Sequence, residues 1–289
     1  MEKGRLVAIL EALLVTFLWS SSYVLVKIGL IEIAPLTLVA LRYTVASVIL
    51  VSIALARGGV KILSWGENLT KLAFLGFSGY AIAQGLQVLG LYYLPAMTVT
   101  LILNFTPVVA LVLGVLFLNE TPTRLQIGGM LLVLLGAYFF FNAPLSIQSP
   151  LGVVITLLSG VGWAAYLVAG RLFFVKGEIE PLDLTAFSMA IGTLMMAGAT
   201  LAIEGIPVIA ISGLGIILWL GVVNTALAFF LWNHALQRLE AFEISVLQNT
   251  MLIQIAILAW VFLGEGLSLG KLFAMVLVFF GALIVQLRR

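Results

Sequence analysis

The chain has 289 residues, of which 63% are hydrophobic and only 9% charged. An ordinary soluble domain carries about 25% charged residues, so this composition excludes a water-soluble globular protein. The 14 basic and 12 acidic residues give a net charge of +2 and form no basic face, which excludes a nucleic-acid-binding protein. Because the chain has no cysteine, disulfides and thiolate metal sites are excluded as well.

A membrane-spanning helix needs about 20 apolar residues, so this length leaves room for about ten spans and no separate soluble domain. The first span is too long for a signal peptide, and we expect it to be retained. Thr121 with Pro122, and Ser149 with Pro150, place a capping side chain before a proline, which is typical of a helix start. Apolar runs between charged, proline and glycine clusters predict ten helices, in chain order over residues 6–29, 36–56, 71–93, 96–118, 123–142, 151–173, 182–203, 213–235, 241–263 and 269–287.

The distribution of Lys and Arg predicts the orientation of these spans. If the N-terminus is cytoplasmic, the outer segments hold only Lys27 and Lys271, and Arg42 lies within a span. The other basic residues then all lie at inner span ends or in inner segments. Since cytoplasmic loops carry an excess of Lys and Arg, both termini are predicted to be cytoplasmic, which agrees with an even number of spans.

The chain contains an internal repeat. A shift of 145 residues aligns residues 91–137 with residues 236–282 without a gap. We infer two copies of a five-helix unit, over residues 1–145 and 146–289. Because five is odd, the second copy enters the membrane from the opposite side, as in many secondary transporters. Apart from leucine pairs, the identities are Ala96 with Ala241, Asn104 with Asn249, Phe117 with Phe262, Glu120 with Glu265, Met130 with Met275, Val133 with Val278, Gly136 with Gly281 and Ala137 with Ala282.

Four stretches of the sequence resemble the EamA-type transporters of the drug/metabolite transporter superfamily. They are LWSSSYVLVKIGL in the first span, LRYTVAS in the second, and the paired stretches LNFTPVVALVLGVLFLNETPT and LQNTMLIQIAILAWVFLGEGLS. The resemblance covers nearly the whole chain. It implies an all-α membrane protein of ten helices as two inverted repeats, in a prokaryotic plasma membrane, with a central cavity lined mainly by spans 1, 3, 4, 6, 8 and 9.

The most specific markers of this resemblance are Glu120 and Glu265, each followed by a helix with a Gly-Ala pair. We interpret both carboxylates as structural caps at short turns. The chain departs from the family pattern at Leu252, which occupies the place of Pro107 in the first copy. This departure predicts that a kink in the ninth span is weaker or differently placed.

Depth in the membrane selects the candidate cargo-binding residues, because transporter sites lie near the bilayer midplane. Asn104 and Asn249 are repeat partners, so they are the first candidates. The alternative is that the amides form interhelical hydrogen bonds and the tryptophans pack in the core. Tyr23 and Tyr166 are predicted to supply hydroxyl groups nearby. Counting from the span ends places six residues near the midplane: Trp19, Gln84, Asn104, Trp163, Asn224 and Asn249.

Few ionisable residues lie within the spans, and each is a functional hypothesis. Glu11, His234 and Glu243 are candidates for a gate or for proton coupling, with solvated span ends as the alternative. Pro107 is a candidate hinge, because it frees a backbone carbonyl in the fourth span. Arg42 matches the family's second-span arginine, for which we favour a structural, helix-pairing role.

No carboxylate is predicted at the midplane, which favours a neutral, zwitterionic or aromatic cargo. The sequence therefore predicts a secondary transporter that exports small organic metabolites by alternating access, with proton coupling left open. The alternative cargo is a nucleotide sugar or similar phosphorylated compound, which requires a basic cluster in the cavity. An intramembrane enzyme is disfavoured because the sequence has no catalytic motif and a single histidine, and no cofactor is predicted.

Overall fold

In a computed structural model, described over residues 3–29, 32–58, 65–94, 96–141, 149–206, 211–263 and 268–287, every regular element is a helix. Nine helical stretches within these ranges are long and apolar enough to cross a membrane. The third predicted span is helical as well, from Trp65 to Tyr93. The prediction of an all-α protein with ten spans is therefore confirmed.

The first three spans are α1 (Lys3–Gly29), α2 (Pro35–Ala56), and α3 (Trp65–Leu75) continued by a π-helical segment (Gly76–Ile82) and α4 (Ala83–Tyr93). The fourth, fifth and sixth are α5 (Ala96–Leu103) with α6 (Thr106–Leu118), α7 (Arg124–Phe141) and α8 (Pro150–Val175). The seventh and eighth are α9 (Pro181–Ile203), and α10 (Ile211–Gly221) continued by a second π-helical segment (Val222–Leu227) and α11 (Ala228–Leu236). The last two are α12 (Ala241–Gln248) with α13 (Met251–Leu263), and α14 (Leu269–Gln286).

The helix starts follow local capping chemistry. Ser149 accepts a hydrogen bond from the Gly152 N–H at 3.1 Å, as predicted for the start of α8. The predicted cap at Thr121 is wrong, because Thr123 caps α7 instead. The Thr123 hydroxyl accepts from the Gln126 N–H at 3.2 Å, and the Gln126 side chain accepts from the Thr123 N–H at 2.9 Å. This reciprocal capping box satisfies two donors at once, which favours the later start.

The irregular parts of the two halves occur at matching places. The third and eighth spans, which are repeat partners, each contain a π-helical segment. The fourth span breaks at Asn104 and the ninth at Asn249, exactly one repeat of 145 residues apart in the numbering. Each span was predicted as one helix, with a hinge at Pro107 in the fourth and a kink in the ninth, and the structure instead divides each of them into two helices. The fold thus has two five-helix repeats that share their distortions as well as their helices.

Spans five and ten, which are repeat partners, pack closely through small residues. A Cβ atom at Gly281 would lie 2.6 Å from the Gly129 carbonyl oxygen, and one at Gly136 would lie 2.8 Å from that of Ala274. The two contacts interchange under the repeat shift, because Gly136 corresponds to Gly281 and Gly129 to Ala274. In a two-fold symmetric contact, each pair of contacting residues recurs with the two halves exchanged, so these contacts indicate a two-fold relation between the halves. Small residues at this contact allow the two backbones to approach.

Substitution of Gly281 by valine should destabilise the protein by about 3 kcal/mol, because the added side chain meets backbone atoms of α7 that cannot rotate away. The measurement is thermal unfolding in detergent. Gly128→Val is the matched control, since a Cβ at Gly128 meets no atom within 4 Å. Equal melting temperatures for the two variants would contradict the close packing of α7 on α14.

The helix ends form two sides of the bundle, and contacts identify which ends lie together. On the side that we call the terminus side, Arg5 contacts Glu243 and the Arg238 side chain donates to the Gly4 carbonyl. On the side that we call the opposite side, Glu204 at the end of α9 accepts from Leu36 at the start of α2. The terminus side holds four ion pairs between described residues, and the opposite side holds the mouth of a cavity.

Candidate functional site

A cavity of about 1010 Å³ runs from the helix breaks to the opposite side of the bundle. Asn104 and Asn249 line its deep end, and Pro35, Tyr93 and Glu204 line its mouth. Five of the residues predicted from the sequence lie on its wall. They are Trp19, Gln84, Asn104, Trp163 and Asn249.

The two repeat-related asparagines meet at the deep end of the cavity. Asn249 Nδ2 donates to the backbone carbonyl of Asn104 at 3.0 Å, and Asn104 Nδ2 donates to the Thr100 carbonyl at 2.7 Å. Each asparagine is only 6% exposed. The side chain of Asn249 therefore joins the two halves, whereas that of Asn104 caps a carbonyl of its own span.

Pro107 explains why a carbonyl is free for Asn249. Proline has no N–H, so the Leu103 carbonyl loses its helical partner and accepts from the Thr106 hydroxyl instead, at 2.6 Å. The next N–H, that of Val108, bonds the Phe105 carbonyl at 3.0 Å rather than that of Asn104. The structure thus places Pro107 directly after the break in the fourth span.

The ninth span breaks without a proline. The Leu252 N–H donates to the Asn249 carbonyl at 3.2 Å, and the Thr250 hydroxyl donates to the Leu247 carbonyl at 2.6 Å. These bonds link residues three positions apart, so the local winding tightens until the α-helix stops. The expectation of a weaker or differently placed kink is wrong, because the ninth span breaks over two residues, as the fourth does, and at the same position of the repeat.

Aromatic side chains form one wall of the cavity. The ring centroids of Trp19 and Trp163 are 6.2 Å apart. The indole N–H of Trp163 donates to Gln248 Oε1 at 2.7 Å, and that of Trp19 donates to the Asn224 carbonyl at 3.2 Å. Satisfied N–H groups hold both rings in place, so the rings offer a fixed apolar wall.

Two predicted residues lie away from the cavity wall. Asn224 is fully buried, and its amide donates to the Leu18 carbonyl across to α1. The Tyr166 hydroxyl accepts from Asn233 Nδ2 at 2.7 Å and contacts the Tyr80 hydroxyl at 3.2 Å. Both side chains make interhelical hydrogen bonds, which is the alternative that the sequence left open. The side chain of Tyr23 lies outside the described residues, as does Glu265.

Sequence reasoning missed several polar residues of the wall. Gln87 and Gln248 line the cavity, and Ser245 lines it with a hydroxyl that has no partner among the described atoms. Gln87 lies one helical turn from Gln84, and Gln248 adjoins Asn249. This spacing on one helix face was the available signal.

Arg42 also lies on the cavity wall, contrary to a purely structural role. Its Nε atom donates to the Thr225 hydroxyl at 2.9 Å, and its guanidinium carbon lies 5.3 Å from the centroid of the Tyr43 ring. The bond to Thr225 does pair α2 with the eighth span, as expected. Position on the wall adds a cation to the cavity.

Glu243 is the centre of a polar network at the terminus side. Arg5 donates to both of its carboxylate oxygens, at 3.0 and 2.7 Å. Gln126 Nε2 donates to it at 3.0 Å, as does the backbone N–H of Glu240. Glu243 is completely buried, so this network excludes water between α1, α7 and α12. The terminus side is therefore closed in this structure.

The other predicted gating residues lie on the same side. His234 Nδ1 and Glu11 Oε2 are 2.8 Å apart and join α11 to α1. Glu120, after the end of α6, lies 3.6 Å from Arg171 and accepts from the Ala241 N–H at 3.3 Å. Burial raises the pKa of the Glu120 carboxyl to about 7, with a further increase from the nearby charge of Glu240.

The structure contains duplicated halves around a central cavity, open at one side and closed by polar contacts at the other. These features define the class of the protein as a membrane transporter with a repeat architecture. The EamA-like transporter family matches residues 6–142 and residues 150–287. Because these two matches cover most of the chain, the protein belongs to this family.

Curated relatives are similar over most of their length. The chain is 26% identical to an uncharacterized transporter of Archaeoglobus fulgidus, over 87% of this chain and 88% of the relative. It is 27% identical to a probable amino-acid metabolite efflux pump of Salmonella typhimurium, over 94% and 92%. It is 26% identical to a probable terminal-alkyne amino-acid exporter of Streptantibioticus cattleyicolor, over 89% and 86%.

The fold is also found among solved structures. One crystal structure matches with a TM-score of 0.79 at 19% sequence identity, and the match covers 98% of this chain and 96% of that chain. At this identity the likeness establishes the fold alone. The family match and the nine long apolar helices of the described residues make this chain a multi-pass integral membrane protein, and the names of its relatives point to transporters rather than enzymes.

Proposed function

We propose that the protein is a secondary transporter that moves small organic metabolites by alternating access. One observation carries this proposal: the cavity opens at the opposite side, while buried contacts around Glu243 close the terminus side. Two repeats of opposite orientation can exchange their conformations, which would close the mouth and open the terminus side. The described conformation is then one of the two end states.

The proposed direction is export. With the positive-inside orientation that the sequence predicts, the mouth of the cavity faces the outside. The names of two relatives, an efflux pump and an exporter, favour export and an amino-acid-like cargo. The cavity volume suits a small organic molecule, and its wall combines indole rings with the amides of Gln84, Asn104 and Asn249. These groups suit a cargo with an apolar body and a few polar substituents.

A phosphorylated cargo is the second candidate, and the wall does not favour it. A nucleotide sugar carries two phosphate charges, which binding sites usually meet with several Lys or Arg side chains. Among the described residues of the wall, Arg42 is the only cationic side chain. We therefore propose a cargo whose net charge is no more negative than about −1.

A counterflow screen in proteoliposomes tests the proposed function. Vesicles loaded with an unlabelled compound are diluted into the same compound carrying a radiolabel, over a panel of amino acids, nucleobases, aromatic metabolites and nucleotide sugars. We expect labelled amino-acid-like or aromatic compounds to accumulate transiently without an imposed gradient. A parallel arm with a pH gradient tests coupling through Glu11, His234 or Glu243. Absence of exchange for every compound would overturn the proposal.

Replacement of Asn249 by alanine should weaken cargo binding about tenfold, because Asn249 both lines the cavity and fixes the two breaks against each other. Asn104→Ala should have a smaller effect, since its amide bonds only its own span. The half-saturating cargo concentration in counterflow measures both. Asn233→Ala is the control, since Asn233 is equally buried but bonds Tyr166 away from the wall. Wild-type affinity in both cavity variants would assign the two asparagines to packing.

A further inference from the structure

The described wall of the cavity contains two charged side chains, Arg42 and Glu204, and they differ in what they bind. Both carboxylate oxygens of Glu204 accept hydrogen bonds from residues at the start of α2. They accept from the Leu36 N–H at 2.9 Å, from the Thr37 N–H at 2.8 Å and from the Thr37 hydroxyl at 2.8 Å. A carboxylate at a helix N-terminus with three donors needs no further partner.

Arg42 is held in place but is not neutralised. Its Nε atom donates to the hydroxyl of Thr225, which lies in the π-helical part of the eighth span, and this hydroxyl in turn donates to the Leu220 carbonyl at 2.8 Å. The four ion pairs of the described residues involve Glu11, Glu120, Glu178 and Glu243, and none of them includes Arg42. The two terminal nitrogens of its guanidinium group therefore remain available to a ligand in the cavity.

An arginine seven residues into a membrane span lies about 10 Å below the helix start, where an uncompensated charge is costly. Such a residue normally pairs with another group or faces a water-filled cavity that a ligand enters. Its planar pair of terminal nitrogens matches the two oxygens of a carboxylate. We propose that Arg42 binds the carboxylate group of the cargo, and that the cargo is an organic acid or an amino acid with a net charge of about −1. This inference rests on the proposed transport function and names its substrate class.

The wall next to Arg42 offers a place for the rest of such a molecule. A chain of aromatic contacts leads from the arginine to the deep end: Tyr43 to Phe229 with centroids 5.8 Å apart, Phe229 to Trp19 at 5.3 Å, and Trp19 to Trp163 at 6.2 Å. Beyond these rings lies the amide of Gln248, bonded to the indole N–H of Trp163. An apolar or aromatic body can therefore extend from Arg42 along the rings, with a polar substituent at the amides.

Chemical labelling of Arg42 tests this proposal without knowledge of the natural cargo. Phenylglyoxal modifies accessible arginine side chains, and peptide mass spectrometry quantifies the adduct on the wild-type protein in detergent. Benzoate is the probe and benzamide is its neutral match, both at millimolar concentration. We expect benzoate to slow the modification of Arg42 about threefold or more and benzamide to leave it unchanged, since only the carboxylate gains charge-assisted bonds.

Arg57, which is exposed at the end of the same helix, is the internal control and should label equally under all conditions. Equal protection of Arg42 by benzoate and benzamide, no protection by either, or no labelling of Arg42 would each overturn the proposal.

Transport provides the second measurement. For each cargo found by counterflow, Arg42→Gln should raise the half-saturating concentration about tenfold or more, whereas Arg42→Lys should retain part of the affinity. The amide of the same cargo should bind wild type and Arg42→Gln alike. Unchanged affinity in a folded Arg42→Gln protein would overturn the role of Arg42 while leaving transport intact. Absence of counterflow in wild type would instead contradict the proposed function, and the labelling result is independent of it.

Discussion

Glu243→Ala is expected to open the terminus side of the bundle and to destabilise it by about 3–5 kcal/mol. The variant leaves Arg5 without its bidentate partner and removes one of the two acceptors of the Gln126 amide, the other being the Val285 carbonyl. Both groups then remain in a buried site or draw water into it. In the proposed mechanism, loss of these contacts shifts the population from the described state towards one that is open on the terminus side.

Cysteine labelling measures this shift with little background, because the native chain has no cysteine. Ala12 is fully buried in α1, next to Glu11, so a cysteine at this position should react slowly with a membrane-impermeant maleimide. The Glu243→Ala background should accelerate the reaction at least tenfold. Glu178→Gln is the matched control, since its ion pair with Lys71 lies on the same side but is partly exposed and contributes at most about 1 kcal/mol. Equal acceleration in both backgrounds would contradict a specific seal at Glu243.

The closed terminus side is also expected to become less stable as the pH rises from about 4.5 to about 7. Glu120 has a pKa raised to about 7 in this conformation, whereas the ordinary pKa of a glutamate is 4.5. The closed conformation therefore binds this proton more tightly than an open one. The contribution of this proton to the stability of the closed conformation is complete below pH 4.5, decreases as the pH rises, and is lost above pH 7. Arg171 limits the increase in the pKa, while Glu240 and Glu243 add to it.

The same labelling assay measures this pH dependence. Each rate is divided by that of a fully exposed cysteine at the same pH, which removes the intrinsic pH dependence of the reaction between thiol and maleimide. The labelling rate of the wild type should increase at least about tenfold between pH 5 and pH 7.5, because the closed state loses its tighter proton binding over this range. Glu120→Gln mimics the protonated carboxyl, so it should keep the low-pH behaviour at every pH. Glu178→Gln again serves as the control and should retain the wild-type profile. An identical pH profile for wild type and Glu120→Gln would rule out Glu120 as the titrating group.

The number of spans could be predicted because it follows from local hydropathy. The repeat could be predicted because matching residues recur at a constant spacing of 145. The orientation of side chains about each helix axis could not. Asn224 was predicted to lie near the midplane and Tyr166 to supply a hydroxyl nearby, yet both side chains face neighbouring helices rather than the cavity. In helices that are apolar on every side, no polar face shows which way a residue points. Depth alone therefore identifies candidate residues but does not separate the cavity wall from the interhelical contacts.

Long-range pairing was equally hidden in the sequence. Glu243 and Arg5 are far apart in the chain, and only the folded structure shows that their side chains meet. Arg42 seemed structural from its family position, and its place on the cavity wall depends on how α2 packs against the eighth span. The break at Asn249 had no proline to indicate it, whereas Pro107 marked its counterpart.

The difference between Pro107 and Leu252 has a thermodynamic consequence for the proposed cycle. If the two halves were identical, exchange of their shapes would give two end states of equal free energy. Pro107 can never donate the missing helical hydrogen bond, so the fourth span lacks this bond in every state. Leu252 retains its N–H, so the ninth span is free to rewind into a continuous α-helix. In the proposed cycle the two end states therefore differ in free energy, so the empty carrier would rest mainly in one of them even without a membrane potential or a cargo gradient.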